Sequence, residues 1–177
     1  AVGVEASRRV IARFAAGCGL ELHAGDQGAE AGALLPWHAG PCTVFEGDFF
    51  DASAAALGGE LDLAYDDGAL PAVEPGRRAK YACVLRGLLG PHGRLLAVVP
   101  EFEEALLEPE LTALGPHSVG LGELRELFPG FACEVLGEEE AGGSGRYARL
   151  RAAGVPSVVE RAVLLTRSGS LQAQLVF

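Results

Sequence analysis

The chain has 177 residues, 49% of them apolar and 21% charged, and a formal net charge of −10. That is enough chain for one domain with a substantial core, and it excludes a disordered segment. The acidic balance weighs against nucleic acid or an anionic membrane as a main partner, because both are held through basic surface.

Residues 1–5 (A-V-G-V-E) read as a short apolar strand closed by an acid. Ser7 is placed to cap a helix carrying Val10, Ile11 and Phe14 on one face, and Gly17 and Gly19 stop it. A short strand over 20–23 follows, then a Gly/Ala/Pro-rich stretch, 24–41, that reads as a loop containing Trp37. Residues 43–46 form the next strand, 51–57 a short helix, Gly58-Gly59 a turn, and 61–65 another strand. Pro75 suits the first turn of a helix running to about Leu89, with Tyr81, Val84/Leu85 and Leu88/Leu89 at helical spacing and Gly90-Pro91 ending it. Residues 95–99 are wholly apolar, as in a buried parallel sheet. An acidic, irregular insertion covers 100–114 and a helix covers 120–128. Two strands, 131–136 and 158–166, follow late with no clear helix between them, joined by a long Glu- and Gly-rich connection. The tail, 168–177, holds a last strand or nothing ordered. Strands alternating with helices, then a late strand pair, predict a doubly wound α/β fold with a terminal hairpin.

In an open α/β sheet, ligands bind beyond the carboxyl ends of the strands. Three acids fall at such ends. Glu5 can accept from both hydroxyls of a ribose, or be a solvated strand-end residue. Asp48 can accept from an exocyclic amine while Phe49 packs on a ring, or the two can be a turn cap and a core residue. Asp66 and Asp67, before Gly68, stand where the chain passes the reactive end of a ligand, or simply begin a turn. Two adjacent aspartates with no third ligand nearby do not suggest a metal. Gly17-Cys18-Gly19 follows a helix and precedes a strand, the reverse of a phosphate-binding loop, so it is a helix stop. Arg77, Arg78 and Lys80 read as a solvated basic face. His23, His38, His92 and His117 lie mostly in Gly/Pro-rich turns, none beside a Ser or Cys nucleophile motif, so no hydrolase triad is supported. Cys18, Cys42, Cys83 and Cys133 have no C-x-x-C or Cys/His ligand spacing and read as reduced, mostly buried thiols of a cytoplasmic protein. The chain has no Met and begins at Ala1 inside a strand pattern, which reads as a fragment.

Taken in order, five stretches resemble the thiopurine S-methyltransferase family, within the Rossmann-like class I fold of S-adenosylmethionine enzymes. V-G-V-E-A-S resembles the second-strand V-G-V-E-x-S, and E-G-D-F-F resembles G-D-F-F. A-Y-D-D-G-A-L-P-A-V-E-P-G-R-R-A-K-Y-A resembles Y-D-R-x-A-L followed by P-x-x-R-x-x-Y-A. G-P-H-S-V with L-R-E-L-F resembles G-P-P-F-x-V and its helix, and G-V-P-S-V-V-E-R-A-V-L-L-T resembles G-x-x-x-L-x-E-R-x-Y-x-L. The resemblance covers most of 2–167 and is loose in 23–42 and 100–114.

It implies a mostly parallel sheet with a C-terminal antiparallel hairpin, in a partial methyltransferase domain over 1–167 followed by the tail 168–177. It implies S-adenosyl-L-methionine as cofactor, with Glu5 on the ribose, Asp48 and Phe49 at the adenine, and Asp67 at the place of the family's cofactor-binding Arg. The acceptor would be a small-molecule thiol, as in thiopurine S-methylation, with Asp66, Pro116 and His117 on its side. No catalytic side chain is assigned, because a soft thiol needs little general-base help. The family's first strand, Gly-containing loop and Trp-bearing N-terminal segment would precede Ala1. On that reading the chain is N-terminally truncated and inactive alone, and the complete protein is a monomeric enzyme. Alternatives are a degenerate methyltransferase-like domain, a thiol/halide methyltransferase, and an NAD-binding oxidoreductase sharing the sheet and the acid after its second strand.

Overall fold

Residues 1–26 and 32–168 are described by a computed structural model. They divide into two units, Ala1–Leu61 and Asp62–Phe177.

In the first unit, the alternating run Val2–Glu5 forms β1 and leads into α1, Arg8–Gly17. Ser7 sits extended at the N-cap without a side-chain cap; Glu5 Oε1 instead accepts the Ser7 N–H at 2.8 Å. Ile11 and Ala15 are buried, whereas Val10 and Phe14 are exposed. Three strands follow: β2 (Leu22–Ala24), β3 (Leu35–Ala39) and β4 (Cys42–Glu46). The sheet order is β1-β4-β3-β2. β1 runs parallel to β4, while β3 is antiparallel to both its neighbours. The stretch expected as a loop thus contains a strand. Gly40, at φ +56°, and Pro41 make the two-residue link between paired Ala39 and Cys42. Pro36 is tolerated because the β2 pairing ends at Trp37, and the Gly25 N–H donates to its carbonyl at 2.8 Å. The short helix expected over 51–57 is split into a 3-10 turn, Phe49–Asp51, and α2, Ala54–Leu57, whose Ser53 cap accepts the Ala56 N–H.

In the second unit, β5 (Leu61–Asp67) leads through α3 (Ala69–Ala72) to α4 (Arg78–Leu88), which passes directly into β6 (Leu89–Glu101). Gly90-Pro91, expected to stop the helix, fall inside that strand, because Leu89 already has extended backbone. Then come α5 (Pro109–Thr112), α6 (Leu121–Leu127), β7 (Phe131–Glu140), α7 (Ala148–Ala152) and β8 (Val159–Arg167). The order is β5-β6-β8-β7, with β8 antiparallel to β6 and to β7 and a bulge between Val135 and Gly137. The molecule is therefore α/β with mixed sheets rather than a mostly parallel one, since β6 pairs antiparallel with β8; the late strands pair antiparallel as the pattern indicated, but with α7 between them. Leu85, Leu88, Leu95, Ala97, Val99, Leu124, Phe128, Val163 and Leu165 are buried. Each such large apolar side chain contributes about 1.5–3 kcal/mol. A satellite cluster gathers Phe102, Leu107, Tyr147, Leu150, Val155 and Val158 around the β7–β8 connection.

Two readings change. Arg78 is not part of a solvated face: it is 1% exposed, while Arg77 and Lys80 are exposed. The cysteines are not mostly buried, since Cys18 and Cys83 are exposed and Cys42 and Cys133 are half-buried. The possible last strand lies almost wholly outside the described residues. Among the described residues, no helix is long and apolar enough to cross a membrane.

Candidate functional site

The first unit brings Glu5 together with Asp48 and Phe49. β1 and β4 are parallel, so both carboxyl ends meet at one edge of the sheet, with Glu5 beside Glu46. The Gly47 N–H then donates to the Glu5 carbonyl at 3.1 Å, and the chain turns at Asp48. Only glycine suits position 47, because a Cβ there would lie 2.5 Å from Leu34 Cδ2. Asp48 Oδ1 caps the 3-10 turn by accepting the Phe50 N–H at 2.9 Å. Each carboxylate thus spends one oxygen on a backbone N–H. The Phe49 and Phe50 rings meet edge to face, 6.3 Å apart. Glu46 accepts from the Trp37 indole at 2.9 Å, and the Arg8 guanidinium lies 4.3 Å from the centre of that ring. The sequence hides this cluster because the Gly/Ala/Pro-rich surroundings of Trp37 carry no strand alternation.

In the second unit, a cleft of about 310 Å³ is lined by Gly68, Pro71, Pro116, Arg146, Tyr147 and Arg149, among others. Asp66 does not line it. Asp66 is 4% exposed and accepts from the Ala69 and Leu70 N–H groups at 2.9 and 3.1 Å and from the Tyr81 hydroxyl at 2.9 Å. Burial pushes its carboxyl up, with those hydrogen bonds opposing, and Tyr81 is pushed up by its own burial and by the Asp66 charge. Asp66 therefore anchors the turn into α3.

Asp67 faces elsewhere. Its Oδ1 accepts from Arg146 Nη2 at 2.5 Å, and Arg146 Nη1 lies 3.4 Å from Glu160 Oε2, on which the Tyr147 hydroxyl also donates. The bond to Asp67 holds the Arg146 guanidinium more firmly charged, while burial and then Glu160 push Tyr147 up. Among the described residues, Arg149 has no ion-pair partner.

Pro116 lines the cleft, following the cis Gly115-Pro116 bond. His117 lies behind it, 4% exposed, with Nδ1 2.7 Å from Glu104 Oε1; Glu104 also accepts the Ser118 N–H. The wall is held further by the His117 N–H on the Pro71 carbonyl and by Arg78 Nη1 on the Ser118 carbonyl and Glu123. Arg146, Glu104 and Arg78 were not legible as partners of this site, because each reaches it from a distant segment. Among the described residues, no group of three or more His, Cys, Asp or Glu is placed to hold a metal ion.

Residues 1–168 match the family model for thiopurine S-methyltransferase. The chain is 34% identical over 166 residues to a thiopurine S-methyltransferase of Pseudomonas putida strain F1, covering 94% of this chain and 71% of that one. It is 33% identical over 167 residues to the Pseudomonas entomophila protein of that name, with the same shares covered. In structure it resembles an S-adenosylmethionine dependent methyltransferase from Mesorhizobium loti, with a TM-score of 0.51 and 17% identity over 94% of this chain and 79% of that one. That likeness concerns the fold.

Proposed function

The chain belongs to the thiopurine S-methyltransferase family, and on that premise we propose that it serves the S-adenosylmethionine-dependent methylation of a small-molecule thiol. The observation that carries the acceptor half of this reading is the second unit's cleft. Its walls include Pro71, Pro116, Tyr147, Arg146 and Arg149. Apolar walls with a few fixed polar groups suit a flat heteroaromatic thiol.

The donor set of the first unit fits the adenosine half of the cofactor. Glu5 Oε2 is available for ribose hydroxyls and Asp48 Oδ2 for an adenine amine, beside Phe49. When bound, S-adenosylmethionine supplies an activated methyl group that an acceptor sulfur takes by in-line displacement. The protein's own part is to bind, align and exclude water. A heteroaromatic thiol is acidic enough to give its proton to solvent before it attacks, so it needs little help from a side-chain base.

The test is calorimetric titration with S-adenosylhomocysteine, using NAD as control. Saturable binding of S-adenosylhomocysteine alone is expected, weakened about tenfold by Glu5→Ala through loss of a charge-assisted hydrogen bond. Binding of NAD instead would overturn the reading. Mass spectrometry of a panel of aromatic thiols incubated with S-adenosylmethionine reports transfer itself.

A further inference from the structure

We propose that Asp67, acting through Arg146, sets the charge preference of the cleft, turning it toward uncharged acceptors and away from those that carry a carboxylate. This deepens the reading of the cleft as an acceptor site and rests on it.

The argument begins with two cationic side chains on the cleft wall, Arg146 and Arg149. Left unpaired, such a pair would select anions. Asp67 and Glu160 instead approach Arg146 at 2.5 and 3.4 Å, so that guanidinium is engaged by two carboxylates while Arg149 has no ion-pair partner among the described residues. Gly68, at φ +96°, brings the backbone close to the pair: a Cβ there would lie 2.8 Å from Arg146 Nη2, the movable end of that side chain. Asp67 and Arg146 are each about two-fifths exposed, so water screens their pairing but does not cancel it. The stretches that this segment resembles carry Arg at position 67, so the substitution changes the local charge by two units at one edge of the cleft. Asp67 does not line the cleft itself. It is a positioning residue, and its effect must vanish when Arg146 is absent.

The probes are para-(methylthio)benzoate and its neutral amide, which match in shape and differ in charge. Their binding to the 177-residue chain is measured by calorimetry. Asp67→Asn is expected to shift the ratio of affinities toward the benzoate by about five- to tenfold, the scale of one solvent-screened, charge-assisted hydrogen bond from the released Arg146 guanidinium. The amide should change by less than about twofold on the same grounds. Asp67→Glu should restore the original ratio, and Asp67→Asn should produce no shift in an Arg146→Gln background. Asp67→Ser provides a second neutral variant if the first folds poorly. Equal changes for both probes, no change for either, or no binding of either probe by any variant would each overturn the proposal. Methyl transfer is assayed separately on the same proteins. A selectivity shift in a chain that binds NAD rather than S-adenosylhomocysteine would sink the methylation reading and leave the charge preference standing.

Discussion

Asp66 and Asp67 are adjacent in the chain and opposite in duty. Their alternation along β5 turns one carboxylate into the protein and the other out toward Arg146, as period-two geometry requires. Asp66 is the more informative of the two for stability. Its folded-state pKa is raised, chiefly by burial. The stability it contributes is therefore full at low pH, where the carboxyl is protonated in both states, and is lost as pH rises through the raised value. Asn at this position cannot titrate. The stability of Asp66→Asn relative to the parent chain should therefore improve as pH rises from about 4 to about 7, when followed by urea unfolding. A gap that stays flat over that range would mean the carboxyl titrates normally. That an acid stood at each strand end was legible from the sequence; which acid faced inward depended on the register of β5.

At the scale of elements, α4 shows where periodicity succeeds and where composition misleads. Tyr81, Leu85 and Leu88 are buried as their spacing indicates. Arg78 sits one turn earlier on the same stripe, and the stripe rather than the charge decides its burial. It donates to the Val73 and Ser118 carbonyls and pairs with Glu123 at 2.8 Å, while its Nη2 has no partner among the described residues. The helix thereby pins the turn that forms one wall of the cleft. Removing the cation while leaving Glu123 in place should be costly. Arg78→Ala is expected to lower the unfolding free energy by about 3 kcal/mol, and Arg78→Met, which refills the volume, by less. Equal losses for both in urea unfolding would assign the cost to the lost cation and its hydrogen bonds, with no share for packing. β3 was missed for the converse reason. Pro36 and the Gly/Ala-rich surroundings obscure a strand that exists because it pairs with β4 along its full length.

The described residues form two sheets, one in each unit, and Trp37 is the only tryptophan of the chain. It lies in β3, with its indole on Glu46 and Arg8 above the ring, so its fluorescence reports the first unit. Far-ultraviolet circular dichroism reports both. With no strand shared between the sheets, the two signals are expected to give separate midpoints in urea, whereas coincident curves would mean that the units unfold as one. By itself the sequence determined the α/β class, most strands and helices, the family, and the acids at the strand ends, because each of these rests on local spacing or on short ordered motifs. Through the resemblance it also implied that Asp67 stands at the place of the family's cofactor-binding Arg. Only the tertiary structure decided which group Asp67 meets. The guanidinium that meets Asp67 comes from Arg146, 79 residues later, and the carboxylate that holds His117 comes from Glu104 in an insertion with no periodic pattern. Such pairs are set by which loops the sheet order brings side by side, and a one-dimensional period carries no record of that.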